Sequence, residues 1–580
     1  MKMSDVVIRI GGEGGEGVIS AGEILSRAAA RSKFHFFTFR TYPAEIRGGL
    51  AMFQMRLGRK RVLSQGSSLD VLMCFNQEAF DTYWRELRPE GVLLFDPKFF
   101  TPPSQFKNTA IPVALEQISL DSSGTTRGKN IVAVGALAQM VGIPFDTCEK
   151  LVEELFMKKG EKVVAANNKA LEGAYQYSRE KIDTIDLGKP EMSDEDEWLI
   201  LSGNEAIALG AIAAGCRVCA GYPITPASSI LEFLARELPS FGGTVVQCED
   251  EIAAIGACVG ASFAGAKAMT PTSGPGFALM TEMLNLASMS ETPVVLADIQ
   301  RAGPSTGMPT KTEQGDLRHA LYGAPGESPR VVIAPSSVRD CFYETIRAFN
   351  IAEKYQVPVI LLSDQTLANR TTTVKMFDLS KIEIENRLQP ADEDLANGVY
   401  ARYKVTDSGV SPMLLPGDPR GSYIATGLEH DEYCAPSYAP TQHTSMMEKR
   451  FRKLTVLAND LETGAIENGH YFMDSPKGST LGIIAWGATY GPIREAIEMA
   501  EEDGIKVAHL HPKVLWPLPD KAIKEIISTV DNVLIPEENF LGHLSQAIKA
   551  NYDVKPIQLN KCEGIPFSPE ELYEKIKEVA

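Results

Sequence analysis

The sequence predicts an α/β protein built from three open, mostly parallel α/β domains. Two observations predict this class. Short apolar runs typical of buried strands alternate with helical runs along nearly the whole chain, which is the pattern of open parallel sheets. The alternation is interrupted twice, by an acidic polar segment and by a long segment rich in Pro, Gly, Asp and Arg. These interruptions separate three globular parts.

The length of 580 residues supports such a division, because single hydrophobic cores stop growing at roughly 250–300 residues. We expect a first domain over residues 1–188, a linker over 189–197 and a second domain over 198–370. An extended segment over residues 371–477 then wraps over other domains or a partner subunit, and a third domain spans 478–580.

The charge of the chain argues against two kinds of partner. The formal net charge is -18 and no long Lys/Arg cluster is present, so neither nucleic acid nor an anionic membrane is expected as the main partner. No stretch reaches the ~20 apolar residues of a membrane span, and the N-terminus enters a strand-like run directly. We therefore expect a cytoplasmic protein, and its nine scattered cysteines fit a reducing compartment.

Two groups of residues have the types, but not the spacing, of metal ligands. Cys216 and Cys219 form a single CxxC in the apolar run "VCAGY", and without a second pair this favours packing over a metal or redox role. His430, Asp431 and His443 follow no recognised ligand pattern. No metal site is assigned to this chain.

The first domain opens with "VVIRIGGEGGEGVISAGEIL", a strand, a glycine-rich turn and a helix. Glycines in this position let backbone amides approach a phosphate, and they serve a purely structural turn equally well. Glu13 and Glu16 place carboxylates where a phosphate would lie, which argues against a dinucleotide. Further on, Arg40 and Arg47 flank a proline corner. They are candidates for the phosphates of a large anionic cosubstrate or for structural ion pairs.

The second domain contains the segment "AGYPITPAS", residues 220–228. Proline fixes its own φ and pushes the residue before it into extended geometry. Pro223 and Pro226 should therefore hold Tyr222 and Thr225 in defined directions. Taken alone, this corner is either a turn or part of a site.

Acidic and basic residues follow in the same domain. Glu249, Asp250 and Glu251 begin a helix of small residues, where acids usually complement the helix dipole. Arg301 comes directly after the strand-like run "PVVLADIQ", at the sheet edge where open α/β proteins bind ligands. Its planar fork suits a carboxylate, and an ordinary ion pair is the alternative.

Four segments together carry a resemblance to a known family: "GNEAIALGAIAAGCRVCAGYPITPASSI", "EDEIAAIGACVGASFAGAKAMTPTSGPGF", "RAGPSTGMPTKTEQGDL" and "TGLEHDE". They resemble the α subunit of the 2-oxoacid:ferredoxin oxidoreductases, most of all the 2-oxoglutarate type, with a γ-type domain fused ahead of it. The resemblance implies a thiamine diphosphate enzyme that decarboxylates a 2-oxoacid, passes electrons to ferredoxin and forms an acyl-CoA. The second domain then resembles a pyrimidine-binding domain, and the third a transketolase C-terminal-like domain.

The same resemblance implies roles for individual residues. Glu251 matches the glutamate that bonds the aminopyrimidine ring and favours the tautomer that removes the thiazolium proton. Arg301, Thr225 and Thr310 match positions that hold the substrate carboxylate, with Tyr222 as a wall of the pocket. The further residues implied on the cofactor side are Pro223, Ile224 and Ser273.

The motif "GDG", which normally holds the diphosphate through Mg²⁺, does not occur in this sequence. The resemblance therefore implies a β subunit that supplies the diphosphate end of the thiamine site, Mg²⁺ and at least one [4Fe–4S] cluster. We expect an (αβ)₂ heterotetramer with ferredoxin as electron acceptor and CoA as cosubstrate. The chain alone should be inactive.

The choice of substrate leaves alternatives open. 2-Oxoglutarate carries a second carboxylate, for which Lys311 or a β-subunit residue could supply the cation. Pyruvate or a branched-chain 2-oxoacid needs no such cation. A different class also stays open, namely a non-catalytic module whose N-terminal domain binds a nucleotide-like ligand.

Overall fold

A computed structural model describes residues 3–41, 48–193, 195–395, 400–463 and 469–580. The chain divides into two compact units. The first unit contains residues 1–201, 369–377 and 568–570, and the second contains residues 202–368, 378–567 and 571–580. The second unit thus includes most of both the second and the third predicted domains.

The first part of the chain alternates strands and helices as the sequence predicts. Its elements are β1 Asp5–Glu13, α1 Val18–Arg31, β2 His35–Thr41, β3 Leu50–Gly58, β4 Leu69–Cys74, α2 Gln77–Tyr83, β5 Leu87–Phe95, β6 Thr109–Pro112, α3 Leu115–Ser123, α4 Lys129–Met140, α5 Phe145–Phe156, α6 Glu161–Lys181 and β7 Trp198–Ser202. β1 is buried on both faces from Val6 to Gly12, which explains its continuous apolar run. Gly17 precedes α1 with a φ of 91°, a conformation that favours glycine.

The second part has the same alternation, and several of its helices start with a side-chain cap. Its elements are α7 Gly203–Ala213, β8 Val218–Gly221, α8 Ser228–Glu237, β9 Thr244–Gln247, α9 Glu251–Phe263, β10 Ala268–Thr272, α10 Gly274–Met289, β11 Val294–Gln300, α11 Leu317–Tyr322, β12 Val331–Ile333, α12 Val338–Tyr355, β13 Pro358–Asp364 and α13 Gln365–Asn369. Ser202 and Glu205 form a capping box at α7, and the Asp250 side chain accepts a hydrogen bond from the Ala253 amide at α9. These caps satisfy amides that have no partner within the helix.

The last part contains more regular structure than the sequence pattern predicts for residues 371–477. Its elements are β14 Thr371–Lys375, α14 Asp392–Leu395, α15 Pro440–Thr463, β15 Tyr471–Asp474, β16 Leu481–Ile484, α16 Tyr490–Glu502, β17 Val507–Pro512, β18 Val514–Trp516, α17 Asp520–Thr529, β19 Asn532–Glu537, α18 His543–Asn551, β20 Ile557–Asn560 and α19 Pro569–Val579. None of the helices in the described residues combines the length and apolarity needed to cross a membrane.

Three sheets result, and they confirm the predicted α/β class. The first has the order β6-β5-β4-β1-β3-β2-β14-β7, the second β18-β12-β13-β11-β10-β8-β9 and the third β15-β17-β16-β19-β20. The first sheet is mixed, because β1 pairs antiparallel with β3 and parallel with β4. In the second sheet the pairs from β12 through β9 are parallel, whereas β18 joins β12 antiparallel.

The second and third sheets belong to one compact unit and share a hydrophobic core. One cluster of buried side chains runs from Ala220 and Ile255 of the second sheet's layer to Trp486 and Ile548 of the third. β18 comes from the third predicted domain but extends the second sheet. The third predicted domain therefore supplies the outermost strand of the second sheet.

Buried charges attach α15 to the rest of the second unit. Lys449 Nζ lies 2.6 and 2.7 Å from the two carboxylate oxygens of Glu291, and Lys453 Nζ lies 2.5 Å from Oε2. Burial lowers the pKa of Lys453 to about 7. Although burial acts in the opposite direction, the two ammonium groups hold the pKa of Glu291 well below its usual range. Breaking such a buried pair is costly, so this cluster fixes the segment in place.

Candidate active site

The candidate site lies at the carboxyl edge of the second sheet. β8, β10 and β11 run parallel as neighbours, so the turns that follow them meet at one edge. These turns hold residues 222–226, called here the proline corner, together with Ser273 and Arg301. The structure therefore brings together most of the residues that the sequence singled out in the second domain.

The proline corner is fixed from two sides. Asn204 of α7 donates through Nδ2 to the Pro226 carbonyl and to Ser229 Oγ, each at 2.8 Å. Arg301 donates through Nη1 to the Thr225 carbonyl at 2.6 Å. The main chain of Thr225 thus positions Arg301, while its side chain is half-buried and Tyr222 is exposed. The corner is a rigid support for the arginine.

Arg301 is a buried cation with unused donors. Its side chain is 7% exposed, and among the described residues no partner reaches its Nε. Burial lowers the pKa of Arg301, and the nearby Asp316 opposes that shift. A guanidinium held in this way can bind a carboxylate in two-pronged fashion.

Glu251 begins α9 and is 8% exposed. It packs against Gly276 of α10, where a Cβ would lie 2.7 Å from Glu251 Cγ and 2.8 Å from Oε1. No donor from the described residues is hydrogen-bonded to the carboxylate, whereas the adjacent Glu249 and Asp250 are exposed. Glu251 is therefore the acid of this cluster that is available to a bound ring nitrogen.

The loop after Arg301 holds the remaining predicted substrate residues. Thr310 is 9% exposed, and Lys311 is half-buried, which lowers its pKa. Gly564 fits against Lys311, because a Cβ there would lie 2.9 Å from Lys311 Cβ. A loop from the third predicted domain thus packs on the segment expected to bind substrate.

Several buried polar atoms at this edge have no partner, which tests whether the site fits a cofactor. Within the described residues these atoms are Ser273 Oγ, Thr270 Oγ1, Thr312 Oγ1 and Arg301 Nε. A buried polar group without a partner is costly, so a ligand that bonds to these atoms would stabilise the edge. With the open Glu251 carboxylate, the set fits an aminopyrimidine next to a carboxylate substrate.

Sequence reasoning missed two acids and two glutamines behind the site. Asp298 lies in β11 and is fully buried, and Asp316 ends the loop that Arg301 begins. Gln300 accepts through Oε1 from the Asp316 amide at 3.0 Å. Gln314 donates through Nε2 to the Trp486 carbonyl at 3.0 Å. An aspartate inside the apolar run "VVLADIQ" was the signal that could have revealed Asp298.

The residues predicted for CoA lie in the first unit. Arg40 Nη1 lies 2.7 Å from Glu23 Oε1, which is the ion pair considered as an alternative. Arg47 lies outside the described residues. In the glycine-rich turn, Glu16 accepts from the Glu13 amide at 2.7 Å and pairs with Lys129 at 2.8 Å. The carboxylate of Glu16 therefore already occupies the polar groups of this turn.

The cysteine and histidine groups are engaged in local contacts. Cys216 and Cys219 are fully buried, and burial raises the pKa of Cys216 to about 12, which accords with packing. His443 Nδ1 lies 2.5 Å from Glu429 Oε2, and His430 Nδ1 lies 2.9 Å from the Leu428 carbonyl. Asp431 Oδ1 accepts from the Tyr433 and Ala435 amides, each at 2.9 Å.

The fold and the site together define a class. A parallel α/β sheet carries an available glutamate at a helix start and a buried arginine beneath a rigid corner, with unpaired polar atoms between them. These features fit a thiamine diphosphate-binding domain.

Comparison with known proteins identifies the particular family. The family "Pyruvate flavodoxin/ferredoxin oxidoreductase, thiamine diP-bdg" matches residues 209–449, "Pyruvate ferredoxin/flavodoxin oxidoreductase" matches 7–177, and "Pyruvate:ferredoxin oxidoreductase core domain II" matches 480–572. The α subunit of 2-oxoacid:ferredoxin oxidoreductase 2 from Aeropyrum pernix is 32% identical over 100% of this chain and 98% of that subunit. Subunit KorA of the 2-oxoglutarate oxidoreductase from Mycobacterium tuberculosis is 34% identical, over 98% of this chain and 91% of KorA.

A solved structure agrees. The 2-oxoglutarate:ferredoxin oxidoreductase from Magnetococcus marinus, with 2-oxoglutarate, coenzyme A and succinyl-CoA bound, superposes with a TM-score of 0.93 at 40% identity, covering 99% of both chains. The chain belongs to the α subunits of the 2-oxoacid:ferredoxin oxidoreductases. The predicted family, enzyme class and thiamine diphosphate-binding domain are confirmed.

Proposed function

We propose that this chain and a β subunit together oxidise 2-oxoglutarate and CoA to succinyl-CoA and CO₂ and reduce ferredoxin. The observation that carries the proposal is the convergence of Glu251, Arg301 and the proline corner at one sheet edge. The proposal is supported by the likeness to the Magnetococcus marinus enzyme, whose structure contains 2-oxoglutarate, coenzyme A and succinyl-CoA.

Glu251 would hold the aminopyrimidine of thiamine diphosphate. When bound, this cofactor supplies a nucleophilic carbon and accepts the electron pair released by decarboxylation. The carboxyl group of Glu251 would form a hydrogen bond with the ring nitrogen and supply the proton that this nitrogen carries in the imino tautomer, and its burial against Gly276 keeps water away from that hydrogen bond. The proposed neighbours on the cofactor side are Pro223, Ile224 and Ser273, whose buried hydroxyl has no partner within the described residues.

Arg301 would bind the carboxylate next to the 2-oxo group. Its Nη1 is committed to the Thr225 carbonyl at 2.6 Å, so the guanidinium plane is fixed while Nε stays available. Thr310 and the exposed ring of Tyr222 would close the pocket around the substrate. Thr225, whose carbonyl supports Arg301, would present its half-buried hydroxyl to the same carboxylate.

Lys311 would bind the second carboxylate of 2-oxoglutarate. It is half-buried within the loop that Arg301 begins, and Gly564 fixes the base of its side chain. Burial lowers the pKa of Lys311, and a bound carboxylate would restore the charged form. This residue would favour 2-oxoglutarate over pyruvate.

The β subunit would supply what this chain lacks. No "GDG" motif occurs in the sequence, so the diphosphate, Mg²⁺ and [4Fe–4S] cluster would be held by that partner in an (αβ)₂ assembly. Apolar side chains are exposed next to the site on α9 and α10, namely Ile252 at 50% and Leu279 at 53%. These side chains offer the β subunit an apolar contact.

We propose that the enzyme is cytoplasmic. Arg40 and Arg47 would contact the phosphates of CoA. The buried Nε of Arg40, which has no partner among the described residues, supports a CoA site in the first unit.

We also retain the division into the domains 1–188, 198–370 and 478–580 as a proposal. The matched families lie within these boundaries for the first and third parts.

A substrate panel on the reconstituted complex tests the function. The chain is coexpressed with its β subunit, and ferredoxin reduction is measured with 2-oxoglutarate, pyruvate and 2-oxoisovalerate, each with and without CoA. We expect reduction to require 2-oxoglutarate and CoA together, and the chain alone to be inactive. A higher kcat/KM for pyruvate or a branched-chain acid would contradict the substrate assignment.

A matched variant sharpens the panel. Lys311→Met keeps the length of the side chain and removes its charge. It should raise the KM for 2-oxoglutarate about tenfold and leave the KM for pyruvate unchanged. Equal changes for the two substrates would assign Lys311 a structural role.

A further inference from the structure

Gln314 attaches the end of the loop 301–316, called here the substrate loop, to the third sheet. Its amide donates to the Glu538 carbonyl at 2.6 Å, and the Glu538 amide donates back to Gln314 Oε1 at 2.9 Å. The Gln314 carbonyl accepts from Asn539 Nδ2 at 3.1 Å, and Nε2 donates to the Trp486 carbonyl at 3.0 Å. These four residues are at most 2% exposed. The main chain and the side chain of one residue are therefore bonded to the same sheet edge.

That edge is formed by two neighbouring strands. β16 and β19 pair in parallel, so the turns that follow them meet at one end of the third sheet. The turn after β16 leaves room for Gln314 at Gly487, where a Cβ would lie 2.9 Å from Gln314 Nε2 and where the φ of 65° favours glycine. In the turn after β19, the Gly542 amide donates to Asn539 Oδ1 at 2.7 Å. Both turns thus accommodate the glutamine closely.

Lys311 lies three residues before Gln314 in the same loop. Its carbonyl accepts from the Ala302 amide at 3.0 Å, which attaches it to the residue after Arg301. A Cβ on Gly564 would lie 2.9 Å from Lys311 Cβ, so this lysine also packs on the third predicted domain. Three residues span at most about 11 Å. A fixed Gln314 therefore limits where the main chain of Lys311 can lie.

We propose that Gln314 is a positioning residue for substrate selection, which fixes Lys311 at a set distance from Arg301 so that the two cations match the two carboxylates of a dicarboxylic 2-oxoacid. This inference rests on the proposed roles of Arg301 and Lys311 in substrate binding. Arg301 has its own support, because its Nη1 donates to the Thr225 carbonyl at 2.6 Å. Loss of the Gln314 contacts should therefore displace Lys311 and leave Arg301 in place.

The test compares two substrates in the complex with the β subunit. Gln314→Met keeps the length and volume of the side chain and removes its bonds to the Glu538 amide and the Trp486 carbonyl. It should raise the KM for 2-oxoglutarate about tenfold and leave kcat and the KM for pyruvate within about twofold of the wild type. Equal rises of KM for the two substrates would overturn the inference.

A double-mutant cycle shows whether Gln314 acts through Lys311. In the Lys311→Met background, Gln314→Met should change the KM for 2-oxoglutarate less than about twofold, because the group that it positions is already absent. A further rise of about tenfold would mean that the two residues act independently. That result would also contradict the proposed positioning.

Gln356 offers a matched control at the opposite edge of the second sheet. It is fully buried, its Nε2 donates to the Ser411 carbonyl at 2.7 Å, and it lies two residues before the start of β13. Gln356→Met therefore removes a buried amide of the same kind without touching the substrate loop. It should lower the free energy of unfolding and leave both KM values unchanged. A KM for 2-oxoglutarate raised as in Gln314→Met would assign the effect to lost stability and refute the role of Gln314.

Hydrogen exchange tests the attachment without turnover. In Gln314→Met the Glu538 amide loses its acceptor, so the peptide with residues 537–542 should exchange faster than in the wild-type complex. Unchanged exchange would show that the attachment does not hold this edge, and the inference would fall.

The substrate panel keeps this result distinct from that of the proposed function. A wild-type complex that prefers pyruvate would overturn the assignment of 2-oxoglutarate and this inference with it. A wild-type complex that prefers 2-oxoglutarate, together with a Gln314→Met complex that is equally selective, would overturn this inference alone.

Discussion

The glycine-rich turn after β1 and the carboxyl edge of the second sheet look alike in sequence but differ in how their polar groups are satisfied. At the first turn, Glu16 accepts from the Glu13 amide and from Asn76 and pairs with Lys129. At the second edge, Ser273, Thr270, Thr312 and Arg301 each keep a buried polar atom without a partner in the described residues.

The difference shows how a site can be told from a turn. Both places join a strand to a helix through glycines, and both could approach a phosphate or a ring. Buried polar groups in native proteins are normally satisfied. The glycine-rich turn, whose polar groups are bonded within the chain, is therefore structural. The carboxyl edge of the second sheet, whose buried polar groups lack partners in the described residues, is the candidate ligand site.

The strongest test of this comparison removes the acid at the open edge. Glu251→Gln keeps the volume and burial of the side chain but cannot exchange a proton with the nitrogen of the cofactor ring. We expect kcat for 2-oxoglutarate to fall at least about 100-fold in the complex, in the range lost with a general acid–base group.

Glu249→Gln is the matched control, since Glu249 is exposed two residues earlier. It should retain wild-type kcat. A fully active Glu251→Gln enzyme would assign the open carboxylate to packing and remove the main reason to treat this edge as a site.

The next largest effect concerns the buried cation. Arg301→Ala removes both the fork for the substrate carboxylate and the donor to Thr225, and we expect kcat/KM for 2-oxoacids to fall about 100-fold. Arg301→Lys should recover only part of that loss, because an ammonium cannot form the planar two-pronged contact. Kinetics with ferredoxin and substrate measure both variants.

Arg318→Ala provides the comparison for that experiment. Arg318 is exposed in α11, a few residues beyond the same loop, and its loss should leave kcat/KM unchanged. If the two alanine variants behave alike, Arg301 does not bind the substrate.

The closed turn should respond in the opposite way. Glu16→Ala leaves the Glu13 amide and Lys129 without their partner and should lower the free energy of unfolding of the chain by about 1–2 kcal/mol. Its KM for CoA and its kcat for 2-oxoglutarate should stay within about twofold of the wild type. Urea unfolding and steady-state kinetics check the two halves of this prediction, with Glu13→Ala as the control because Glu13 is exposed. A raised KM for CoA would show that the turn itself holds the cosubstrate.

Much of this contrast could be predicted from local sequence. Alternating strand and helix runs indicate the α/β class, and Arg301 follows a buried strand at the edge where ligands bind. The sequence alone leaves residues 222–226 open as a turn or a site, and the sheet order places them beside Arg301. The structure adds that the Thr225 carbonyl, at 2.6 Å from Arg301 Nη1, is the supporting contact.

The remaining features depend on contacts between residues distant in the chain. Nothing local indicates that Gln314 meets Trp486, or that Gly564 lies against Lys311. Asp298 is one polar residue in an apolar strand, and only the folded chain shows that it is fully buried. Likewise β14 lies in a segment without a regular hydrophobic pattern, yet it joins the first sheet by pairing Thr372 with Phe37 of β2. Such pairings follow from tertiary packing and not from propensity.

A third strand-to-helix turn, after β19, offers the smallest and most specific test. Glu537 accepts from the Leu544 and Ser545 amides at 2.7 and 3.1 Å, so its carboxylate is satisfied as that of Glu16 is. His543 beside it has a buried Nδ1 without a partner in the described residues. Burial, with Arg318 nearby, lowers the pKa of His543 to about 4 from 6.5. Between these values the unfolded chain binds a proton that the folded chain does not.

Stability contributed by His543 is therefore complete above about pH 6.5 and is lost as the pH falls toward about 4. We expect His543→Gln to reduce the drop in unfolding free energy between about pH 7.5 and about pH 5.5 by about 1 kcal/mol relative to wild type. Urea unfolding at the two pH values measures it, and Lys549→Gln on the same helix should keep the wild-type drop. An unchanged pH dependence in His543→Gln would mean that the imidazole binds its proton as easily in the folded chain as in the unfolded one, and that its environment is open to water.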